Sequence, residues 1–419
     1  MQAGTFLKTF IEMRWLRRFD SRQALEAYQT RQLAAYRAFL QEKSPYFRQG
    51  IPADFRMDKA LMMRHFNQLN TVGMDRDEAL ELALESERTR DFSPMKGEIA
   101  VGLSSGTSGH RGLFITSEQE RSMWAAAVLA KMLPPGKLLG HRIAFFLRAD
   151  NALYQTVHSA LIRLQYFDTF QAAEQHLELL NTYQPSILVA PASMLLELAK
   201  LRQSGRLNIA PQKVISVAEI LEEADRQAME ASFELDRIDQ IYQATEGFLA
   251  CSCACGQLHL NEDIVFVEKN YLDEGRFYPL ITDFKRRSQP IYRYELNDIL
   301  VENPDPCPCG SVFTRIDRIE GRSDDIFVFE NAAGEPVEVF PDFIRRCLLF
   351  VDGIGEYQAA QLSSRQLVIA IEHRSREREA ALTRQFQQLA ADKDFLAPQL
   401  IFKDYQRDRS RKLKRICRI

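Results

Sequence analysis

Strand-like and helix-like segments alternate along residues 93–300, and this alternation limits the folds open to the chain more than any other feature. Residues 142–147, 186–190 and 213–217 are short apolar runs typical of buried strands, and helix-like segments follow the last two. Alternation of this kind predicts stacked α/β layers around a parallel sheet. Ligands bind such open sheets at the carboxyl ends of the strands, so functional residues are expected there.

A loop rich in glycine and hydroxyl groups occupies residues 104–112, with three glycines and four Ser or Thr residues in nine positions. Strand-like residues flank it at 99–101 and 113–115. Glycine lets backbone N–H groups approach a ligand and the hydroxyls add donors, so the loop suits a triphosphate. It is not a Walker loop, because no Gly-Lys-Ser/Thr ends it. An exposed hairpin or linker has a similar composition, and the loop alone leaves both interpretations open.

Cysteine and histidine form a second group of candidate functional residues. Four of them lie within nine residues and two more follow about fifty residues later: Cys251, Cys253, Cys255, His259, Cys307 and Cys309. Thiolates and imidazole at short spacing suit tetrahedral zinc. The alternative is a set of reduced cysteines in turns, and the spacing does not decide between Cys251, Cys253 and Cys255.

The bulk composition agrees with a globular enzyme of two or more domains. The chain has 419 residues, a formal net charge of −3 and 46% hydrophobic residues. This charge balance predicts no nucleic-acid or membrane partner. The first residues lack the pattern of a signal peptide, and seven cysteines do not suggest a disulfide scaffold, so a cytoplasmic location is expected.

Five sequence blocks resemble, in order, those of the adenylate-forming superfamily of acyl-CoA synthetases, peptide-synthetase adenylation domains and luciferases. The nearest resemblance is to the phenylacetate-CoA ligase branch and the related coenzyme-F nucleotidyl synthetases. The blocks are residues 104–112, Tyr242-Gln243-Ala244-Thr245-Glu246-Gly247, Tyr292-Arg293-Tyr294-Glu295-Leu296-Asn297-Asp298, Gly321-Arg322-Ser323-Asp324-Asp325 and Ser410-Arg411-Lys412-Leu413-Lys414-Arg415.

The resemblance implies an α/β adenylate-forming fold, with a large multi-layer N-terminal domain and a small mobile C-terminal α+β domain. Residues 1–92 are then the helical N-terminal part of the large domain, residues 93–323 its ATP- and substrate-binding core, and residues 324–419 the small domain. In the last part we predict a helix at 341–350, two strands, a charged helix at 374–392 and a final strand. Asp324 is the expected hinge residue.

The resemblance also implies roles for individual residues in joining a carboxylate to the α-phosphate of ATP. The β- and γ-phosphates would be held by the loop, through Ser104, Ser105, Gly106, Thr107, Ser108, Gly109, Arg111 and Gly112. Glu246 would hold Mg²⁺ and Thr245 would donate to the α-phosphate. The adenosine would contact Ala218, Glu219, Tyr242, Asp298 and Arg322. Lys412 would neutralise the charge that forms during the reaction, although Lys414 and Arg415 are rivals.

Several residues depart from the family pattern. Only His110 and Arg111 separate Gly109 from Gly112, where the family has a Pro-Lys pair, and Asn297 replaces the usual glycine. Ser216-Val217-Ala218-Glu219 stands where many members have Gly-Gly-Glu-Pro. The phenylacetate-CoA ligase branch has a similar Cys/His arrangement, which points to a structural zinc held by Cys253, His259, Cys307 and Cys309.

Three functions remain open from the sequence. The first is an acid–thiol ligase that forms acyl-AMP and passes the acyl group to coenzyme A or a carrier protein. The second is a nucleotidyltransferase that leaves AMP on a hydroxylated acceptor, and the third is a zinc-stabilised interaction protein without activity. A pocket lined by Phe145, Phe146, Ala190, Ala192, Ala218 and Ala244 would suit an aryl or other apolar acid. A homodimer is compatible with the sequence.

Overall fold

The computed structural model describes residues 2–89, 94–104, 112–136, 138–147, 162–408 and 413–419. These residues form two compact units. One unit comprises Met1–Leu296 and Val301–Arg318, and the other comprises Asn297–Leu300 and Ile319–Ile419. The domain bounds expected from the sequence, with a hinge at Asp324, stay a prediction. No helix within the described ranges has the length and apolar character needed to cross a membrane.

The first unit begins with helices, as expected for residues 1–92. They are α1 (Ala3–Ile11), α2 (Arg22–Lys43), α3 (Lys59–Arg64), α4 (Phe66–Leu69) and α5 (Arg76–Thr89). Side-chain caps set two of the starts. Ser21 accepts from the backbone N–H of Ala24, and Asp58 accepts from that of Leu61 at 2.7 Å.

A small antiparallel sheet follows and carries the ends of the glycine-rich loop. Its strands lie side by side in the order β1 (Met95–Lys96), β2 (Ile99–Leu103) and β3 (Leu113–Thr116). Helix α6 (Glu118–Met132) leaves β3 through a capping box, in which Ser117 and Glu120 bond each other's backbone N–H groups. The two strand-like flanks predicted around residues 104–112 are thus both confirmed.

The main sheet of the first unit contains the parallel strands that the sequence predicts. In chain order they are β4 (His141–Leu147), β5 (Ile162–Asp168), β6 (Ile187–Pro191), β7 (Lys213–Val217) and β8 (Asp239–Ala244). The helices between the later strands are α7 (Leu177–Tyr183), α8 (Ala192–Gln203) and α9 (Glu223–Phe233). The parallel strands are ordered β8-β7-β6-β4-β5.

Antiparallel strands extend this sheet beyond β8. They are β9 (Gly247–Ser252), β10 (Leu258–Leu260), β11 (Val265–Tyr271), β12 (Arg276–Asp283), β13 (Tyr294–Glu295), β14 (Asp298–Asn303) and β15 (Arg315–Arg322). Their order is β11-β12-β14-β15-β10-β9, with β9 next to β8 and β13 paired to β12. The divisions at 300/301 and 318/319 fall inside β14 and β15, so both strands run from one unit into the other.

The core of the first unit fills the space between the parallel strands and their helices. Phe146 stacks on Phe167 with 4.7 Å between ring centroids, and His176 meets both rings edge-on. Phe146, Ala190 and Ala192 are at most 1% exposed and belong to this packed core. These three were expected to line an acid pocket, and the structure instead buries them in this core.

The second unit is the α+β arrangement predicted for the end of the chain. Its elements are β16 (Phe327–Glu330), β17 (Pro336–Val339), α10 (Pro341–Leu349), β18 (Tyr357–Ser363), β19 (Gln366–Ile371), α11 (Arg376–Asp392), β20 (Gln399–Asp404) and β21 (Ile416–Arg418). Four strands form a sheet in the order β20-β19-β18-β21. Its own apolar core includes Phe329, Ile369 and Phe386, each at most 1% exposed.

Candidate functional site

A cleft in the first unit brings together two of the blocks that the sequence singled out. It contains about 250 Å³ of space, part of it open to solvent, and its lining comprises Lys59, Met62, Ser104, Gly112, Leu113, Phe114, Thr245, Glu246, Arg286, Gln289 and Ile291. Ser104 and Gly112 are the two ends of the glycine-rich loop. Thr245 and Glu246 come from a block more than a hundred residues later in the chain.

The two ends of the loop are held tightly together. The backbone N–H of Ser104 donates to the carbonyl of Gly112 at 2.7 Å, and the N–H of Gly112 donates to Ser104 Oγ at 2.8 Å. These bonds close the loop at its base in continuation of the β2–β3 pairing. The remaining predicted loop residues, 105–111, lie outside the described residues.

Thr245 and Glu246 form the two-residue turn between the antiparallel strands β8 and β9, where Ala244 faces Gly247. The turn presents the Glu246 carboxylate to the cleft, although the residue is only 8% exposed. Thr245 Oγ1 donates to Glu246 Oε2 at 2.9 Å. Glycine is required after the turn, because a Cβ at Gly247 would lie 2.8 Å from Asp283 Oδ2.

Ala218, Glu219 and Tyr242 lie at the carboxyl ends of neighbouring parallel strands, as expected for a ligand site in such a sheet. Ala218 follows β7 and has a φ of +67°, a conformation that disfavours a side chain with Cβ. Glu219 Oε2 accepts from the N–H of Ser193 at 3.0 Å, which joins the ends of β6 and β7.

The cleft is also lined by two cationic side chains, Lys59 and Arg286, that the sequence analysis did not single out. Arg286 donates from Nη1 to the carbonyl of Thr245 at 2.8 Å, so its charge stays beside the turn that carries Glu246. The Cε atom of Lys59 lies 3.4 Å from where a Cβ on Gly112 would stand. Both residues lie far in sequence from the loop and from the Glu246 turn, and neither belongs to a recognisable motif. Only the fold reveals them.

Asp283 is a buried carboxyl group behind the Glu246 turn. It is 4% exposed, and one of its oxygens accepts from the N–H of Lys285 at 2.8 Å. Burial raises the pKa of Asp283 to about 6, against the opposing effects of this bond and the Arg286 charge. The group therefore titrates within the range in which an enzyme would be assayed.

In the second unit, the residues predicted to contact ribose lie next to each other. Arg322 Nε is 3.2 Å from Asp298 Oδ1 in a partly buried ion pair. Asn297, which replaces the family glycine, donates from Nδ2 to Asp324 Oδ2 at 2.7 Å. The carbonyl of Asn297 also accepts from the N–H of Ser323 at 2.7 Å, so two bonds tie Asn297 to the predicted hinge.

Lys414 and Arg415, the other two candidates for the role given to Lys412, form ion pairs within the second unit. Lys414 Nζ lies 3.0 Å from Asp325 Oδ1, and burial raises the pKa of Asp325 although Lys414 opposes the rise. Arg415 is 8% exposed and pairs with Glu356 at 2.9 Å. Lys412 itself lies outside the described residues.

A second candidate site joins two distant segments of the first unit. The ligand atoms of Cys253, His259, Cys307 and Cys309 all lie within 4.8 Å of one another. Cys253 Sγ is 3.7 Å from Cys307 Sγ, and Cys309 Sγ is 3.7 Å from His259 Nε2. With ligand bonds of about 2.1–2.3 Å, tetrahedral zinc requires ligand separations close to these values. The donor set and its spacing therefore fit zinc.

The surroundings of the cluster agree with metal binding. His259 Nδ1 lies 3.0 Å from the carbonyl oxygen of Phe313, which can only accept, so Nδ1 carries the proton and Nε2 is left with a free lone pair. Backbone N–H groups of Cys255 and Ser311 donate to Cys253 Sγ and Cys309 Sγ at 3.3 and 3.4 Å.

The cluster shows which of Cys251, Cys253 and Cys255 lies with the other candidate zinc ligands. Cys251 is buried on β9, where its Sγ lies 3.4 Å from Asn261 Oδ1 and burial raises the pKa of the thiol to about 11. Cys255 is exposed and is not among the four clustered ligands. Cys253 is thus the member of this group that faces His259, Cys307 and Cys309.

Comparison with solved structures places the chain among proteins of one fold, whereas no family model and no curated protein sequence matches it. A 2-hydroxyisobutyryl-CoA ligase in complex with 2-HIB-AMP matches 95% of this chain and 89% of its own, with a TM-score of 0.65 and 17% identity. The anthranilate CoA ligase AuaEII in complex with anthranoyl-AMP matches 75% of this chain and 66% of its own, with a TM-score of 0.55 and 13% identity.

ATP-bound MatB from Rhodopseudomonas palustris matches 73% of this chain and 64% of its own, with a TM-score of 0.53 and 13% identity. At these identities the comparisons establish the fold. The chain has the fold of the adenylate-forming ligases, and the resemblance expected from its five sequence blocks is confirmed at that level. Its nearer resemblance to the phenylacetate-CoA ligase branch stays a prediction.

Proposed function

We propose that this chain, with its adenylate-forming fold, activates a carboxylic acid with ATP. It forms an acyl-AMP, releases pyrophosphate and then transfers the acyl group to a thiol such as coenzyme A. One observation carries the proposal: the closed base of the glycine-rich loop, the Glu246 turn and two cations share a single cleft. That combination suits a triphosphate and its metal ion.

The proposed reaction brings together two anions, a carboxylate and ATP, which repel each other. Positive charge in the cleft would reduce this repulsion. The described lining carries the charges of Lys59 and Arg286 against that of Glu246, so it is net positive. Glu246 would hold Mg²⁺, which neutralises phosphate charge when bound. Arg286 stays in place through its bond to Thr245, and preorganised charge of this kind stabilises a transition state without rearrangement.

The family resemblance suggests which residues would contact the nucleoside end of ATP. Tyr242 offers a ring for adenine at the end of β8, beside the Ala218-Glu219 turn. Asp298, an acceptor-only carboxylate, suits the ribose hydroxyls. Arg322 orients Asp298 through their 3.2 Å ion pair. Lys412 supplies the charge on the α-phosphate, a role supported by the structural engagement of Lys414 and Arg415.

Zinc in the Cys/His cluster would have a structural role. Four protein ligands complete a tetrahedral shell and leave no position for a substrate. The ion would join the β9–β10 connection, which carries Cys253, to the segment before β15, which carries Cys307 and Cys309. Both segments belong to the unit that contains the cleft.

The test is product analysis by mass spectrometry. Purified protein is incubated with Mg²⁺–ATP, coenzyme A and a panel of aryl, short apolar and fatty acids. The proposal expects acyl-AMP without coenzyme A, and acyl-CoA with AMP when coenzyme A is present. AMP joined to a hydroxylated acceptor would instead identify a nucleotidyltransferase. ATP left intact with every acid and acceptor would favour an inactive interaction protein.

A further inference from the structure

The side chain of Gln289 is almost wholly buried, and each of its hydrogen-bonding positions has a partner. It is 1% exposed. Nε2 donates to the carbonyl of Leu113 at 3.0 Å and lies 3.2 Å from Met62 Sδ. Oε1 accepts from the N–H of Ile115 at 3.0 Å and from Arg286 Nη2 at 3.3 Å. A carboxamide has two N–H donors and two lone pairs, so its capacity is fully used.

The two backbone partners of Gln289 lie on the outer edge of β3. The inner edge of β3 pairs with β2, where Leu103 faces Leu113 and Val101 faces Ile115. β3 is the last strand of its three-stranded sheet. Alternate residues of a strand present backbone groups to the same edge, so the Gln289 carboxamide acts here as a short neighbouring strand. It therefore fixes the position of β3 along its own axis.

This contact bears directly on the cleft. Leu113 is the residue after Gly112, so a displacement of β3 would displace the end of the glycine-rich loop. Through Arg286, the same carboxamide is linked to the carbonyl of Thr245 in the Glu246 turn. One buried side chain thus connects the base of the loop with the turn that carries the candidate metal ligand.

We propose that Gln289 is a positioning residue that sets the distance between the base of the glycine-rich loop, at Ser104 and Gly112, and Glu246. The inference rests on the proposed function, because it assigns the loop to the triphosphate and Glu246 to its Mg²⁺ ion. Both ends must match one ligand closely, and errors of about 1 Å are enough to weaken such a site. Without Gln289, β3 and the turn are no longer tied to a common side chain.

The test compares Gln289 with a second buried carboxamide that also bonds backbone groups but is not among the residues lining the cleft. Asn70 is 2% exposed and also bonds backbone groups, namely the carbonyls of Phe66 and Met74 and the N–H of Met74. Gln289→Met and Asn70→Leu each replace a buried carboxamide with an apolar side chain of similar size. Gln289→Glu keeps the side-chain shape and the Oε1 acceptor contacts, but it sets a carboxylate oxygen against the carbonyl of Leu113, so it tests the loss of the donor contact.

Equilibrium binding of Mg²⁺–ATP and of AMP is measured for each folded variant, together with the melting temperature. Gln289→Met is expected to weaken Mg²⁺–ATP binding about tenfold and to change AMP binding less than about twofold, because AMP lacks the β- and γ-phosphates. Gln289→Glu is expected to weaken Mg²⁺–ATP binding at least as much, because a carboxylate oxygen cannot donate to the Leu113 carbonyl. Asn70→Leu is expected to lower the melting temperature similarly and to leave both affinities unchanged.

Unchanged Mg²⁺–ATP affinity in both Gln289 variants would overturn the inference, as would an equal loss in Asn70→Leu. A parallel loss of ATP and AMP affinity would also overturn it, since the effect would not concern the phosphates. If the unmodified protein does not bind Mg²⁺–ATP, the proposed function itself fails. That outcome differs from one in which the unmodified protein binds ATP and the Gln289 variants do so equally well.

Discussion

Three basic residues, Lys412, Lys414 and Arg415, lie within four positions near the end of the chain, and we expect their substitutions to have different effects. Lys414 and Arg415 are engaged with Asp325 and Glu356 in the second unit. An ion pair of this partly buried kind stabilises the local structure around the predicted hinge. Lys412 is the residue that the family resemblance assigns to catalysis.

Lys412→Ala is therefore expected to slow acid-dependent pyrophosphate release about 100-fold, on the order of 3 kcal/mol, through lost transition-state charge stabilisation. Its melting temperature should not change. Lys414→Ala provides the comparison, with a lower melting temperature and a smaller kinetic effect. The opposite pattern, with activity lost in Lys414→Ala and retained in Lys412→Ala, would transfer the catalytic role to Lys414.

Asp283 predicts a pH dependence of stability. Its pKa, raised by burial to about 6, exceeds that of an unfolded aspartate near 4. The stability contributed by its proton is complete below about pH 4 and is lost as the pH rises through about 6. Asp283→Asn should reduce the difference in free energy of unfolding between pH 4 and pH 7 by about 2–3 kcal/mol.

Urea unfolding of the unmodified protein and Asp283→Asn at the two pH values measures this difference. Other titrating groups contribute equally to both proteins and cancel in the comparison. An identical pH dependence of the two proteins would mean that Asp283 titrates normally.

At the level of elements, the sequence predicts those whose signals are local. The parallel strands at 142–147, 186–190 and 213–217 were recognisable because apolar runs and turn residues delimit them. In the second unit α10, β18, β19, α11 and β20 were predicted in the correct order for the same reason, whereas β16, β17 and β21 were not predicted. The antiparallel extension from β9 to β15 was not predicted, because pairing between strands distant in sequence leaves no local pattern.

The candidate sites show the same limit. Glu246 and Cys253 lie in compact blocks, and residue type with spacing was enough to name them. Lys59, Arg286 and Gln289 reach the cleft from segments without a motif, so only the fold brings them there. Phe146 was expected to line the acid pocket but lies in the core. A side chain on a strand can face either the core or a ligand, and composition does not distinguish the two.

We expect the Asn297–Asp324 hydrogen bond to stabilise the segment around the predicted hinge. Asn297→Ala removes the 2.7 Å bond and should weaken the local structure by about 1 kcal/mol, or roughly fivefold in hydrogen exchange. The N–H of Ser323, which donates to the Asn297 carbonyl, is the reporter. Exchange at Ser364, elsewhere in the unit, should not change. Unaltered exchange at Ser323 would show that the side-chain bond does not restrain the hinge.

At the level of the whole molecule, the zinc cluster predicts a metal-dependent fold. Purified protein should contain about one equivalent of zinc by elemental analysis. Zinc that binds only the native state adds about 3 kcal/mol when its free concentration is 100 times the dissociation constant. Chelation or Cys307→Ser should therefore lower the melting temperature, and activity should fall only in step with folding.

Cys255→Ser is the matched control, since Cys255 is exposed and lies outside the four-ligand cluster. It should retain the zinc and the melting temperature. Metal-free protein of full stability would rule out the zinc site. Loss of catalysis in a folded Cys307→Ser variant would mean that the metal acts near the chemistry, against its structural assignment.

The central claim is that the cleft at Ser104, Gly112 and Glu246 adenylates a carboxylic acid. Acid-dependent exchange of labelled pyrophosphate into ATP tests it most directly, because the exchange requires reversible formation of acyl-AMP. We expect exchange with at least one acid of the panel, and a loss of about 100-fold in a folded Glu246→Gln variant, which cannot hold Mg²⁺ as well. Full exchange in Glu246→Gln, or none with any acid in the unmodified protein, would contradict the account.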